Sequence, residues 1–278
     1  MGQAIRQSIP KSYALTMALA VMSLLLVLPF VWMVLTSVKH VAEVGSPSWL
    51  PGAAGWHWSN YRDVFRTIPF DLYMWNSVLV ASWVTLLVLV TSSMAAYSFT
   101  RIDWPGRDQV FFLYLATMML PGLVTMIPNY QIMIHLRLVD TLPGLVIPAA
   151  STAFGTFLMR QFMLTIPRSY DEAASMEGAS HWAIYTDIIL PLARPGLITL
   201  GIFTFISNYH SFFWPLVMLR TNEKYTLPIG LLHFETTAGQ STHLLMAAVT
   251  MSIVPAIVVF LIFQKFLVKG IQMGGVKG

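Results

Sequence analysis

Hydrophobic positions along this chain gather into long runs that charged residues punctuate at wide intervals. A helix crossing ~30 Å of hydrocarbon takes roughly 20 apolar residues, and a charge within that stretch is costly. Gaps between Asp, Glu, Lys and Arg therefore locate candidate spans. Six gaps qualify: Lys11 to Lys39, Asp71 to Arg101, Asp108 to Arg137, Asp140 to Arg160, Arg194 to Arg220 and Glu235 to Lys265. The spans expected within them are 14–37, 73–99, 109–128, 142–164, 195–218 and 244–266. The expected fold class is an all-α integral membrane protein with six transmembrane helices, forming a single domain over residues 1–278.

Helix breakers qualify this pattern. A seventh gap, Val44 to Tyr61, holds Gly45, Pro47, Pro51, Gly52 and Gly55, and reads as a loop because broken backbone goes unsatisfied in lipid. Its Trp49, Trp56 and Trp58 suit the headgroup level, where indole finds both apolar and polar surroundings. Pro121 and Pro128 fall in the third window, predicting an end or kink near Pro121 followed by a turn back. The fourth window, with Pro143, Gly144, Pro148 and Gly155, is the weakest; Arg160 near its cytosolic end can snorkel, which lets the helix run on through Phe162 and Met163. The first window has no clean small-residue cleavage site and is read as a retained helix.

Composition agrees with this reading. Hydrophobic residues make up 56% and charged residues 10%, against about 25% charged in a typical soluble domain, so most of the surface must face lipid. The basic excess is scattered between apolar runs, which argues for membrane topology and against nucleic acid as a partner. With both termini cytoplasmic, that side holds Arg6, Lys11, Arg101, Arg107, Arg160, Arg168, Arg194, Lys265, Lys269 and Lys277, 10 of the 16 basic residues, the bias expected of an inner face. Cysteine is absent, excluding disulfides and thiolate chemistry. No metal-binding or catalytic signature is found, and no catalytic residue or metal ligand is assigned.

In that orientation the loop at 165–194 lies in the cytosol, and it is the most informative part of the chain. Ser169 followed by Glu172 has the spacing of a capping box, predicting a short helix that Gly178 closes. Ser180 caps a second helix, which Pro191 and then Pro195 are expected to terminate. Two short helices joined at a glycine make a stiff knob on which a soluble partner can push.

The residues Glu172, Ala173 and Ala174, then Gly178 after three more, then Ile188, Leu190 and Pro191 resemble the coupling loop of ABC importer permeases, E-A-A-x3-G-x9-I-x-L-P, with every defined position filled. The resemblance implies that these seven residues dock in a groove of an ATPase subunit. Asn76-Ser77, Ala95 to Phe99, Pro105-Gly106-Arg107, Met119-Leu120-Pro121, Phe157 to Phe162 and Phe212 to Leu216 are similar to the carbohydrate type, specifically the shorter permease of maltose and glycerol-phosphate importers.

By that resemblance the chain forms half of a translocation pathway in the bacterial inner membrane. Its implied partners are a second permease subunit in a heterodimer, an ATPase dimer and an extracytoplasmic sugar-binding protein. It has no phosphate loop G-x4-G-K-[ST], so ATP and Mg belong to the ATPase subunits and no cofactor is bound here.

Where such permeases commonly have Trp-Asn, this chain has Tyr209-His210-Ser211-Phe212. Asn208, Tyr209, His210, Ser211 and Phe212 are the candidate substrate pathway: rings stack on sugars and polar groups bond hydroxyls. The same residue types make helix-packing contacts, so both readings stand. Asn222, Lys224, Tyr225 and His233, in the loop from Leu219 to Thr242, are the residues by which the resemblance would place the binding protein. An ion-driven secondary carrier is the alternative, although all six windows lack Asp and Glu.

Overall fold

The computed structural model of the protein describes residues 13–236 and 241–275. Every regular element among them is helical: α1 (Tyr13–Ser37), α2 (Ser59–Thr67), α3 (Phe70–Arg101), α4 (Arg107–Ala116), α5 (Gly122–His135), α6 (Pro143–Val146), α7 (Ala153–Leu164), α8 (Ser169–Met176), α9 (His181–Ala183), α10 (Leu190–Leu192), α11 (Arg194–Tyr209), α12 (Phe213–Met218), α13 (Leu227–Gly230), α14 (His233–Thr236), α15 (Thr242–Ser252) and α16 (Val254–Gly275). Among the described residues three helices are long and apolar enough to cross a membrane: Leu15–Ser37, Phe70–Arg101 and Thr242–Lys265. Two bent pairs raise the number to five if each is one span: Arg107–Met119 with Gly122–His135, bent by 100°, and His181–Leu192 with Arg194–Tyr209, bent by 75°.

The windows at 14–37, 73–99 and 244–266 thus each hold a long helix; those at 109–128, 142–164 and 195–218 do not hold a straight one. Pro121 sits at the break in the third, while Pro128 is accommodated inside α5. In the fourth, Pro143 and Pro148 confine the chain to single turns, and the helix proper starts only at Ala153, where the Thr152 hydroxyl accepts from Gly155 N at 3.0 Å. In the fifth, the helix before it ends at Leu192, at the 75° break, and Pro195 opens α11, where its missing N–H falls in a first turn that has no use for one.

The described chain divides into two compact units. One runs up to Thr67 and includes Phe234–Met251. In it every described side chain from Leu15 to Trp32 is exposed, as suits a helix solvated by lipid. The turn after α1 is held by polar bonds: Asn60 Nδ2 donates to Ser37 O and Lys39 O at 2.8 and 2.9 Å, and the Glu43 carboxylate accepts from Gly52 N and Ala54 N. These two backbone donors, first that of Gly52, hold the Glu43 carboxyl below its usual value. Trp49, Trp56 and Trp58 are exposed, and Trp56 stacks on Trp58.

The other unit, Ile68–His233 with the chain from Ser252 onward, contains the core. Val80, Val84, Val88 and Ala96 of α3 recur at helical spacing, and α3 packs chiefly on α7 and α11. Small residues let these helices approach: a Cβ on Gly196 of α11 would meet the Phe162 ring of α7 at 2.6 Å.

Candidate functional site

The 165–194 segment is a helix, a glycine turn and a second helix. The first, α8, starts one residue earlier than a capping box requires. Its N-cap position is Arg168, and Asp171 N and Glu172 N both donate to the Arg168 carbonyl. Ser169 is therefore inside the helix, no side chain caps it, and the Ser169–Glu172 capping box does not form. Gly178 has φ +81°, in the left-handed region, and ends the helix as expected. Ser180 does cap the second helix, its hydroxyl accepting from Ala183 N at 3.2 Å.

That second helix runs from α9 through a π turn at Ile184–Ile189 into α10. Pro191 does not terminate it. Proline brings no N–H to the ladder, and the turn before it widens so that Leu190 N donates to Tyr185 O.

The motif residues divide by burial. Glu172, Ala173, Gly178 and Pro191 are exposed, whereas Ala174, Ile188 and Leu190 are half-buried against the core. Ile184, Tyr185 and Ile189 are buried, and the Tyr185 hydroxyl lies 2.8 Å from Ser93 Oγ of α3. Each such apolar side chain contributes roughly 1.5–3 kcal/mol of burial. One face is thereby anchored and the other left free, with Met176 at its end 90% exposed and Trp182 also exposed.

Charged contacts tie α8 to α3, and the motif alone gives no sign of them. Arg101, at the end of α3, has a side chain only 5% exposed and lies 3.1 Å from Asp171. It also donates to Met163 O and Ile166 O at 2.9 and 2.8 Å, while Arg168 donates to Thr100 O at 3.1 Å. A cleft of about 390 Å³ beside them is lined by Tyr97, Arg101, Arg168, Asp171, Glu172 and His181, among others.

A larger cavity of about 640 Å³ lies among α3, α5, α11 and α12, within the usual ~300–1,000 Å³ of small-molecule sites. Asn208, Ser211 and Phe212 are on its wall; Tyr209 and His210 are not. Tyr209 is 1% exposed, stacks on Phe205 and donates to Ser252 O at 2.8 Å, which is a helix-packing role. His210 sits exposed beside the Tyr209 ring. Thr125, Asn129, Ser207, Phe213, Trp214 and Thr226 complete the polar and aromatic lining, and among the described residues no Asp, Glu, Lys, Arg or His belongs to the wall.

Of the outer-loop candidates, Asn222, Lys224 and Tyr225 are engaged within the chain. Lys224 Nζ lies 2.9 Å from Asp140 Oδ2, Asn222 accepts from the Tyr73 hydroxyl, and the Tyr225 carbonyl accepts from Asn76 Nδ2 at 3.0 Å. His233 is exposed, and residues 237–240 of the same loop lie outside the described residues.

Residues 88–273 match the family described as binding-protein-dependent transport system inner membrane component. The chain belongs to this family. The permease is 33% identical over 270 residues to the arabinooligosaccharides transport system permease protein AraQ of Bacillus subtilis, covering 95% of each chain. It is 31% identical over 222 residues to the sn-glycerol-3-phosphate transport system permease protein UgpE of Yersinia pestis, covering 77% of this chain and 79% of the other. Its fold superposes on a chain of a bacterial ABC transporter involved in the import of the acidic polysaccharide alginate with a TM-score of 0.81, at 27% identity, over 95% of this chain and 99% of that one. The permease is thus a multi-pass membrane protein whose relatives transport solutes and are not enzymes. The family match takes in all seven motif residues and, apart from Val80, the whole cavity wall.

Proposed function

We propose that this permease forms half of the translocation pathway of an ATP-driven importer for a sugar or related carbohydrate. An extracytoplasmic binding protein delivers the sugar, a second permease subunit completes the pathway, and an ATPase dimer binding ATP and Mg drives it. In this reading the chain crosses the bacterial inner membrane six times, the Pro143–Leu164 stretch supplying the sixth crossing, and both termini face the cytosol. Glu172, Ala173, Gly178 and Pro191 are the surface gripped by the ATPase, and Ala174, Ile188 and Leu190 pass its motion inward.

The observation that carries this is the division of the motif into an exposed face and an anchored one. A lever needs both: a free surface for a partner and a packed surface that cannot slip. Asn208, Ser211 and Phe212 face the solute, with an aromatic ring for a sugar's apolar face and uncharged polar groups for its hydroxyls. The 219–225 segment meets the binding protein.

The test is co-purification of the permease with an ATPase subunit, followed by uptake in vesicles with that subunit present and omitted. Uptake is expected only when it is present. Uptake that persists without it would replace this reading with an ion-driven carrier.

A further inference from the structure

α3 is attached to other elements of its unit at both ends by polar contacts, and nothing in the loop motif accounts for either attachment. At one end Arg101 is a hub. Its guanidinium lies 3.1 Å from the Asp171 carboxylate of α8 and donates to Met163 O and Ile166 O, so one buried side chain clamps α3, the end of α7 and the first turn of α8. No residue of α8 is buried, and eight residues are too few for a helix to hold its own shape. Its position therefore depends on the packing of its neighbours and on this ion pair. At the other end Asn76 Nδ2 donates to Glu223 O and Tyr225 O, both at 3.0 Å, and Ser77 Oγ accepts from Leu227 N at 2.7 Å. From residue 76 to residue 101 α3 is unbroken helix, a length of roughly 38 Å at 1.5 Å per residue.

Building on the function proposed above, we propose that Asp171 and Arg101 are positioning residues that lock α8 to α3, and that α3 moves with α8 as one strut reaching the 222–227 segment. A buried Arg that loses its carboxylate is left with an uncompensated charge, so the joint fails when either partner is neutralised. Withdrawal of Arg101 from Asp171 would leave the bond from Arg168 to Thr100 O as the remaining polar tie between α8 and α3.

The chain has no cysteine, so spin labels can be placed at Ser175→Cys on α8 and Met94→Cys on α3 in the permease assembled with its partners. The distance between them is measured without nucleotide and with Mg-ATP and vanadate. With the native pair it is expected to stay within ~2 Å, whereas a shift of ~5 Å, one helical turn, overturns the strut whatever the variants do. Asp171→Asn is expected to widen the distance distribution under Mg-ATP and vanadate and to lower uptake about tenfold, and Asp171→Glu to restore both. Normal distances and uptake in Asp171→Asn overturn the ion pair as the joint. Should Asp171→Asn fail to assemble, the distance across the native pair still decides. A native permease that retains no ATPase subunit instead refutes the function on which the strut rests.

Discussion

At the scale of single residues, two backbone positions carry testable consequences. Gly178 has φ +81° and nothing within 4 Å of where a Cβ would lie, so a side chain there meets strain but no clash. Gly178→Val is expected to cost about 1–2 kcal/mol of local backbone energy, and Gly178→Asn distinctly less, since Asn tolerates the left-handed region. ATP hydrolysis stimulated by substrate-loaded binding protein should fall in the order Gly, Asn, Val; equal activities would show that the turn's geometry is not what matters. Asp140, at φ +59°, gathers the Thr221 hydroxyl, the Arg220 and Thr221 amides and the Lys224 ammonium, which hold its carboxyl well below the usual carboxylate range. A depressed folded-state pKa contributes stability that is complete above the unfolded value of ~3.9 and is lost as pH falls through the lower folded value. The 219–225 segment should therefore stay closed to acid protease down to about pH 4 and open progressively below it. Asp140→Ala should expose Arg220 and Lys224 to trypsin at neutral pH, and unchanged cleavage there would refute the knot.

At the scale of elements, what was legible in the sequence depended on how local its cause is. Long charge-free runs announced α1, α3 and the Thr242–Lys265 span because length and apolarity suffice for a straight helix. The bend at Pro121 was legible for the same reason, since a missing N–H acts on its own turn. The capping box was misplaced by one residue because Ser169 and Glu172 have the right spacing, but α8 begins on the Arg168 carbonyl. Pro191 has the pattern of a stop, but its tolerance depends on a π turn that a residue pattern does not reveal. Close approach was likewise invisible: Gly196 matters through Phe162, 34 positions away. Gly196→Val is expected to destabilise the α7 and α11 packing by about 1–3 kcal/mol, as overpacking does. A drop in the unfolding temperature of the detergent-solubilised protein measures it, and a variant melting with the native chain would mean that Phe162 simply turns aside.

At the scale of the molecule, the cavity sorts candidates that the sequence left together. Asn208 through Phe212 are consecutive, and composition offered no reason to prefer one over another; only the end of α11 at Tyr209 decides which face the cavity. Asn129 and Trp214 were visible as residues, but their convergence with Asn208 requires the 100° bend before α5 and the break before α12. The resulting division makes opposite demands on neighbouring side chains. Loss of the Asn208 amide or the Phe212 ring should weaken solute handling without unfolding the protein, raising the half-saturating sugar concentration about fivefold, the equivalent of one hydrogen bond near 1 kcal/mol. Tyr209→Phe should do the reverse: it removes the bond to Ser252 O, lowers stability by about 1 kcal/mol and leaves transport per folded molecule unchanged. Measuring uptake and melting on the same preparations of Asn208→Ala, Phe212→Ala and Tyr209→Phe separates the two roles. A transport defect in Tyr209→Phe with native stability would move the pathway to the opposite face of α11, because Tyr209 could then act on the solute only from there.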